Sequence, residues 1–240
     1  MLRRAPFYRQ FLKKCCNGHR NQSNQTTSSN QTTSSNEAHY IEDWQKSCVK
    51  ANSFYEKHAE ERTYFYTSDL LGRLFLEETS PKNIATSLKS DIFLDFFHKQ
   101  IQRNDTHKHL DYPYYSPCGL EHNYIRPADV AIVFHDLQDR SLIFGGSLQQ
   151  EFEPNELAFS PNTGRFYHRL FGTKMAKAKS KLQKEGTQFG LLKSTLSQFI
   201  AEEVELDNDG QFVLNGRPIP HLPPSQESTD WGLPPLTSST

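Results

Sequence analysis

The stretch TYFYTSDLLGRLFLEET, residues 63–79, decides the fold class. It is aromatic and alternating on both sides of a turn that contains Gly72, the pattern of two half-buried strands joined as a β-hairpin. Antiparallel strands therefore open the folded part of the chain.

Beyond it, Ser80-Pro81-Lys82-Asn83 offers an N-cap with proline at the first helical position, so a short helix is expected over IATSLK. Asp91 is placed to cap a second helix, in which Ile92, Phe93, Phe96, Phe97 and Ile101 form an apolar stripe. VAIVFH (130–135) and SLIFGG (141–146) flank a short turn and read as another hairpin. FEPNELAFSPNTGRFYHRLF (152–171) repeats the pattern around PNTG, and QFVLNGRPI (211–219) around Asn-Gly. GLLKSTLSQFIAEEVEL (190–206) is the clearest amphipathic helix, with Leu192, Leu196, Phe199 and Ile200 along one edge.

Strands with irregularly interposed helices and hairpin-length turns predict an α+β fold with a mainly antiparallel sheet built from hairpins. Residues 63–220 are expected to form this single domain. Residues 37–62 read as a helical connector, and the proline- and serine-rich residues 221–240 as a disordered tail.

The longest aliphatic-aromatic run, VAIVF, is far shorter than the roughly 20 residues a spanning helix needs, so no transmembrane segment is expected. Four irregularly spaced cysteines (15, 16, 48, 118) suggest neither a disulfide framework nor a zinc site, and the compartment reads as reducing. The ten histidines show no ligand spacing, so no metal or other cofactor is expected.

Six of the 27 basic residues and none of the 28 acidic ones fall in residues 1–36. If residues 7–16 are helical, Phe7, Tyr8, Phe11, Leu12 and Cys15 share a face opposite Arg9 and Lys13. This pattern, followed by repeated NQTTSS, reads as a mitochondrial presequence and linker, with a plain basic tail as the alternative. The NQS and NQT sequons lack the apolar segment that secretion would need. The remaining 204 residues carry 21 basic against 28 acidic side chains, an excess that argues against general nucleic-acid binding.

Candidate chemistry centres on YYSPCGLEHNYIRPAD (114–129). Ser116-Pro117-Cys118-Gly119 reads as a type I turn that exposes Cys118, with Glu121, His122, Asn123, Arg126 and Asp129 close behind. Two readings follow: a thiolate activated by histidine or arginine, or a small semi-buried cysteine in a hydrogen-bonded entrance to the VAIVF strand. Gly72-Arg73, Gly164-Arg165 and Gly216-Arg217 each place an arginine after a turn glycine. These arginines either converge on an anion or flank solvated edges. The Asp207-x-Asp209-Gly210 segment lacks the glutamate of a calcium loop and reads as a turn. Lys174, Lys177, Lys181 and Lys184 form a helical stripe, read first as a solvated face.

The ordered motifs GRLFLEET, SPCGLEHNYIR, FEPNEL, GRFYH and GLLKS resemble the eukaryotic family known as uncharacterised protein family 0598, over residues 62–220. The resemblance implies a mitochondrial protein of unknown activity, with Ser116, Pro117, Cys118, Gly119, Glu121, Asn123, Arg126 and Asp129 as its central motif. Gly164, Arg165, Tyr167 and His168 form a second motif. His122 departs from the family pattern, which weakens a Cys118–His122 pair, and the lysine stripe is an insertion. The expectation is a mitochondrial matrix protein that binds an unknown protein partner or a small anionic ligand through Cys118, Glu121, Asn123, Arg126, Asp129, Arg165 and His168. The alternative is acyl-transfer or hydrolytic chemistry at the SPCG loop.

Overall fold

Thr63–Ser68 forms β1 and Leu74–Leu76 forms β2, antiparallel with Tyr66 opposite Leu76. Asp69 closes the turn between them: its carboxylate accepts the amides of Leu71 and Arg73, and the Arg73 guanidinium at 2.6 Å. The computed structural model describes residues 43–171, 181–182 and 188–224, so the leader expected over 1–36 and residues 225–240 of the expected tail lie outside the described residues.

Two helices precede the sheet, α1 (Asp43–Ser47) and α2 (Asn52–Glu60), and α3 (Asp91–Gln100) follows β2. Next come β3 (Gln102–Arg103), β4 (Tyr114–Cys118), β5 (Glu121–Pro127) and β6 (Val133–Phe134). They are followed by β7 (Asp136–Gln138), β8 (Ser141–Phe144), β9 (Leu148–Glu151), β10 (Leu157–Ser160) and β11 (Arg165–Arg169). The described chain finishes with β12 (Phe189–Leu192), α4 (Ser194–Ala201), β13 (Val204–Leu206), β14 (Phe212–Leu214) and β15 (Arg217–Pro218).

The largest sheet has the order β2-β1-β5-β4-β3 and a second β10-β11-β12-β6; β7-β8-β9 and β13-β14-β15 form two small meanders. Among these pairings β1–β5 and β6–β12 are parallel and the rest antiparallel, so the fold is α+β and mostly antiparallel. Phe97, Phe134, Phe144 and Phe152, all at 0% exposure, anchor the main core. No helix among the described residues is long and apolar enough to cross a membrane.

Four expectations are corrected. Residues 83–88 make turns rather than a helix, because polar side chains capture the local backbone. Asn83 Oδ1 accepts the amides of Ala85 and Thr86, and Thr86 Oγ1 donates to the Pro81 carbonyl. The cap of α3 is Ser90, whose Oγ accepts from the Phe93 amide, and the apolar stripe divides: Phe97 and Ile101 are buried, whereas Ile92 is 86% exposed.

The strand within VAIVFH, β6, pairs with β12, and VAIVFH meets SLIFGG at its end, where the His135 amide donates to the Ile143 carbonyl. The hairpin is β7–β8, closed by Asp139 and Arg140 with φ of 42° and 75°, the positive values that a two-residue I′ turn demands. Finally, the expected helix over 190–206 is divided into β12, α4 and β13. Gly190 allows β12 to lie on Phe134, whose ring would stand 2.6 Å from a Cβ at that position.

The Gly145-Gly146-Ser147 turn is fastened to α3. Asp95 Oδ1 accepts the amides of Gly146 and Ser147, and Oδ2 accepts the Ser147 hydroxyl at 2.6 Å. A Cβ on Gly146 would meet the Asp91 backbone at 2.6 Å, so the approach depends on glycine.

Candidate functional site

Ser116, Pro117 and Cys118 are strand, not turn. β4 and β5 form a hairpin in which Ser116 faces Asn123 and Cys118 faces Glu121, so the turn is Gly119-Leu120. Gly119 has φ +66°, as the first central residue of a II′ turn requires. Pro117 is tolerated because β3 pairs only with Tyr114 and Tyr115, which leaves the end of β4 at the sheet edge.

The Cys118 side chain turns inward and is buried. Its Sγ lies 3.5 Å from Ser116 Oγ, which donates to the Phe97 carbonyl at the end of α3. Burial, reinforced by Glu121, pushes the thiol pKa up against the Ser116 hydrogen bond, which favours the inert thiol over the thiolate. Asn123, fully buried, donates Nδ2 to the Ser116 carbonyl at 2.9 Å. His122 is exposed and its Nδ1 is engaged with the Tyr115 hydroxyl.

Arg126 points away from this corner into a buried ionic cluster. Its Nη1 is 3.2 Å from Glu77 Oε1, an ionic contact without the alignment of a hydrogen bond. Glu77 Oε2 accepts the hydroxyls of Tyr55 and Tyr112, and the guanidinium lies 4.3 Å from the Tyr112 ring centroid. Burial, and then Glu77, raises the Tyr112 pKa. The Arg126 carbonyl accepts from Thr67 Oγ1 and Gln45 Nε2, so one residue ties α1 and β1 together and reaches α2 through Glu77 and Tyr55. Glu77 was not among the residues singled out from sequence, although period-2 alternation in LFLEE already places it on the face of Phe75, and both are buried.

Asp129 and Arg165 do meet. Asp129 Oδ2 accepts Arg165 Nη1 at 2.8 Å and the Tyr167 hydroxyl at 2.7 Å. Tyr167 pairs with Leu191 and its phenol pKa is raised by burial and then by Asp129. Arg165 and Tyr167 share one face of β11, so His168 points to the other. There His168 Nε2 accepts the Glu153 amide at 3.0 Å, and its Nδ1 lies 2.9 Å from the Arg169 carbonyl, a pattern that suits the neutral imidazole. Burial lowers its pKa to about 4. His168 is thus spent on backbone groups, in a different sheet from Cys118.

A cleft of about 320 Å³ opens beside Arg165, between the Leu70-Leu71 turn, Phe166, Leu191 and one face of α4. Ser194, Ser197, Gln198 and Ala201 supply that face, at i, i+3, i+4 and i+7. Among the described residues Arg165 is the one charged residue in its lining. A second crevice, about 430 Å³ between α2 and β1, carries Glu56 and Glu78 and so suits no anion. Among the described residues no group of His, Cys, Asp and Glu is arranged to hold a metal ion. Of the lysine stripe, Lys174, Lys177 and Lys184 lie outside the described residues, and Lys181 donates to Gln102 Oε1.

A crystal structure of a DUF1285 family protein from Silicibacter pomeroyi DSS-3 aligns with 66% of this chain and 79% of its own, at 16% identity and a TM-score of 0.39, too low to carry an argument. Residues 55–213 match the family described as "Domain of unknown function (DUF4505)", a span that holds the β4–β5 hairpin, the Arg126 cluster and the Arg165 cleft. The chain is a member of that family.

Proposed function

We propose that this protein is a binding protein for a small anionic ligand, held at the Arg165 cleft, and that the Cys118 motif is structural. The observation that carries the reading is Arg165, the one charged residue among the described residues that line the cleft. Cys118, Asn123, Arg126 and His168 are buried, so acyl-transfer or hydrolytic chemistry at the SPCG loop lacks an accessible nucleophile with a positioned base. Capture of bound small molecules by native mass spectrometry tests the reading. An anion retained by the wild type and lost in Arg165→Gln is the expected result; identical spectra would remove the assignment.

The proposed setting is the mitochondrial matrix. It is supported by the acid-free, basic segment 1–36 and by the resemblance to uncharacterised protein family 0598. Residues 1–40 fused to a fluorescent reporter should carry it into mitochondria, and a cytosolic or secreted reporter would refute the address.

A further inference from the structure

We infer that the ligand of the Arg165 cleft is an amphipathic monocarboxylate, with its carboxylate on the outer edge of Arg165 and its hydrocarbon body along Leu70, Leu71, Phe166 and Leu191; this rests on the reading of the cleft as an anion site. The volume, about 320 Å³, falls in the range of small-molecule sites rather than of extended macromolecular grooves.

Charge decides the head group. Arg165 is fixed at one terminal nitrogen by Asp129, itself held by Tyr167, so the guanidinium stands in one orientation without a ligand. Among the described residues only Nη1 is engaged, and the planar fork keeps a second edge of N–H donors that matches a carboxylate. Asp129 already offsets part of the positive charge. A dianionic phosphate would therefore leave the site strongly negative, whereas a single carboxylate is shared as in any arginine bridging two acids.

Shape decides the body. The floor and one wall are leucine and phenylalanine side chains, which reward burial of apolar surface. The α4 wall is short at Ser194, Ser197 and Ala201, with Ser197 Oγ already committed to the Leu192 carbonyl and Gln198 as its one long side chain. It leaves width for a chain beside Ala201. A head group with no apolar body would leave this surface in water and gain only the contact with Arg165.

Calorimetric titration of the full-length protein with decanoate, decanol, acetate and inorganic phosphate tests the inference. Decanoate should bind at least about tenfold more tightly than each of the other three. Arg165→Gln should bring decanoate down to the level of decanol and leave decanol unchanged. Because that variant also removes the guanidinium from beside Asp129, Ala201→Trp, which narrows the cleft without touching the ion pair, serves as the second variant and should weaken decanoate by at least about tenfold. Phosphate binding as tightly as decanoate would overturn the carboxylate head, and acetate doing so would overturn the hydrocarbon body, either result sparing the anion site. Decanoate binding that ignores both substitutions, or no binding at all, would overturn both.

Discussion

Truncating Arg126 to alanine leaves the Glu77 carboxylate buried with two tyrosine hydroxyls and without the cation that contacts it. The expected loss is about 3–5 kcal/mol of unfolding free energy in urea, and a second change, Glu77→Gln, should recover part of it. An Arg126→Ala variant is therefore a test of folding rather than of binding. Cys118 should alkylate more slowly than a thiol in an unfolded peptide, measured with a maleimide at neutral pH, because the side chain is buried and its pKa is raised. The sequence around these residues displayed their chemistry but not their partners. Asp129 and Arg165 were both singled out, yet their meeting depends on the packing of β11 beside the segment after β5. Glu77 was hidden because a carboxylate in a turn-proximal LEET reads as solvated until its alternation with Phe75 is followed.

Elements closed by their own turn residues were legible: β1–β2, β10–β11 and β14–β15 form where alternation and turn chemistry predict hairpins. Elements fixed by distant contacts were not. In 190–206 leucines recur at helical spacing, and the strand over Phe189–Leu192 exists because β6 and Phe134 await it. Pro117 looked like a turn residue because nothing in the local sequence reveals that β3 is too short to pair with it. The tie between α3 and the Gly145-Gly146-Ser147 turn makes a prediction at this scale. Gly146→Ala should cost about 1–3 kcal/mol, the range for a forced overlap, since the added carbon meets main chain that cannot rotate away. Ser147→Ala should cost less, about 1 kcal/mol, since both amides on Asp95 survive.

The molecule as a whole should lose stability in mild acid. Burial lowers the pKa of both His98 and His168 to about 4, so both stay neutral in the folded protein at pH values where the unfolded chain binds their protons. Their contribution is complete above the ordinary histidine pKa of 6.5 and is lost as pH falls from there toward 4, by on the order of 3 kcal/mol for each. Urea midpoints measured across that interval should decline steadily, and His168→Gln should flatten the decline even if it lowers the starting value. The parallel pairing of β1 with β5 has a consequence in time as well as in space. Thr63–Ser68 must wait for Glu121–Pro127 to be synthesised before its second edge is covered. A nascent chain halted before His122 therefore presents an aromatic strand with an open hydrogen-bonding edge, the kind of surface that chaperones and neighbouring chains seize first.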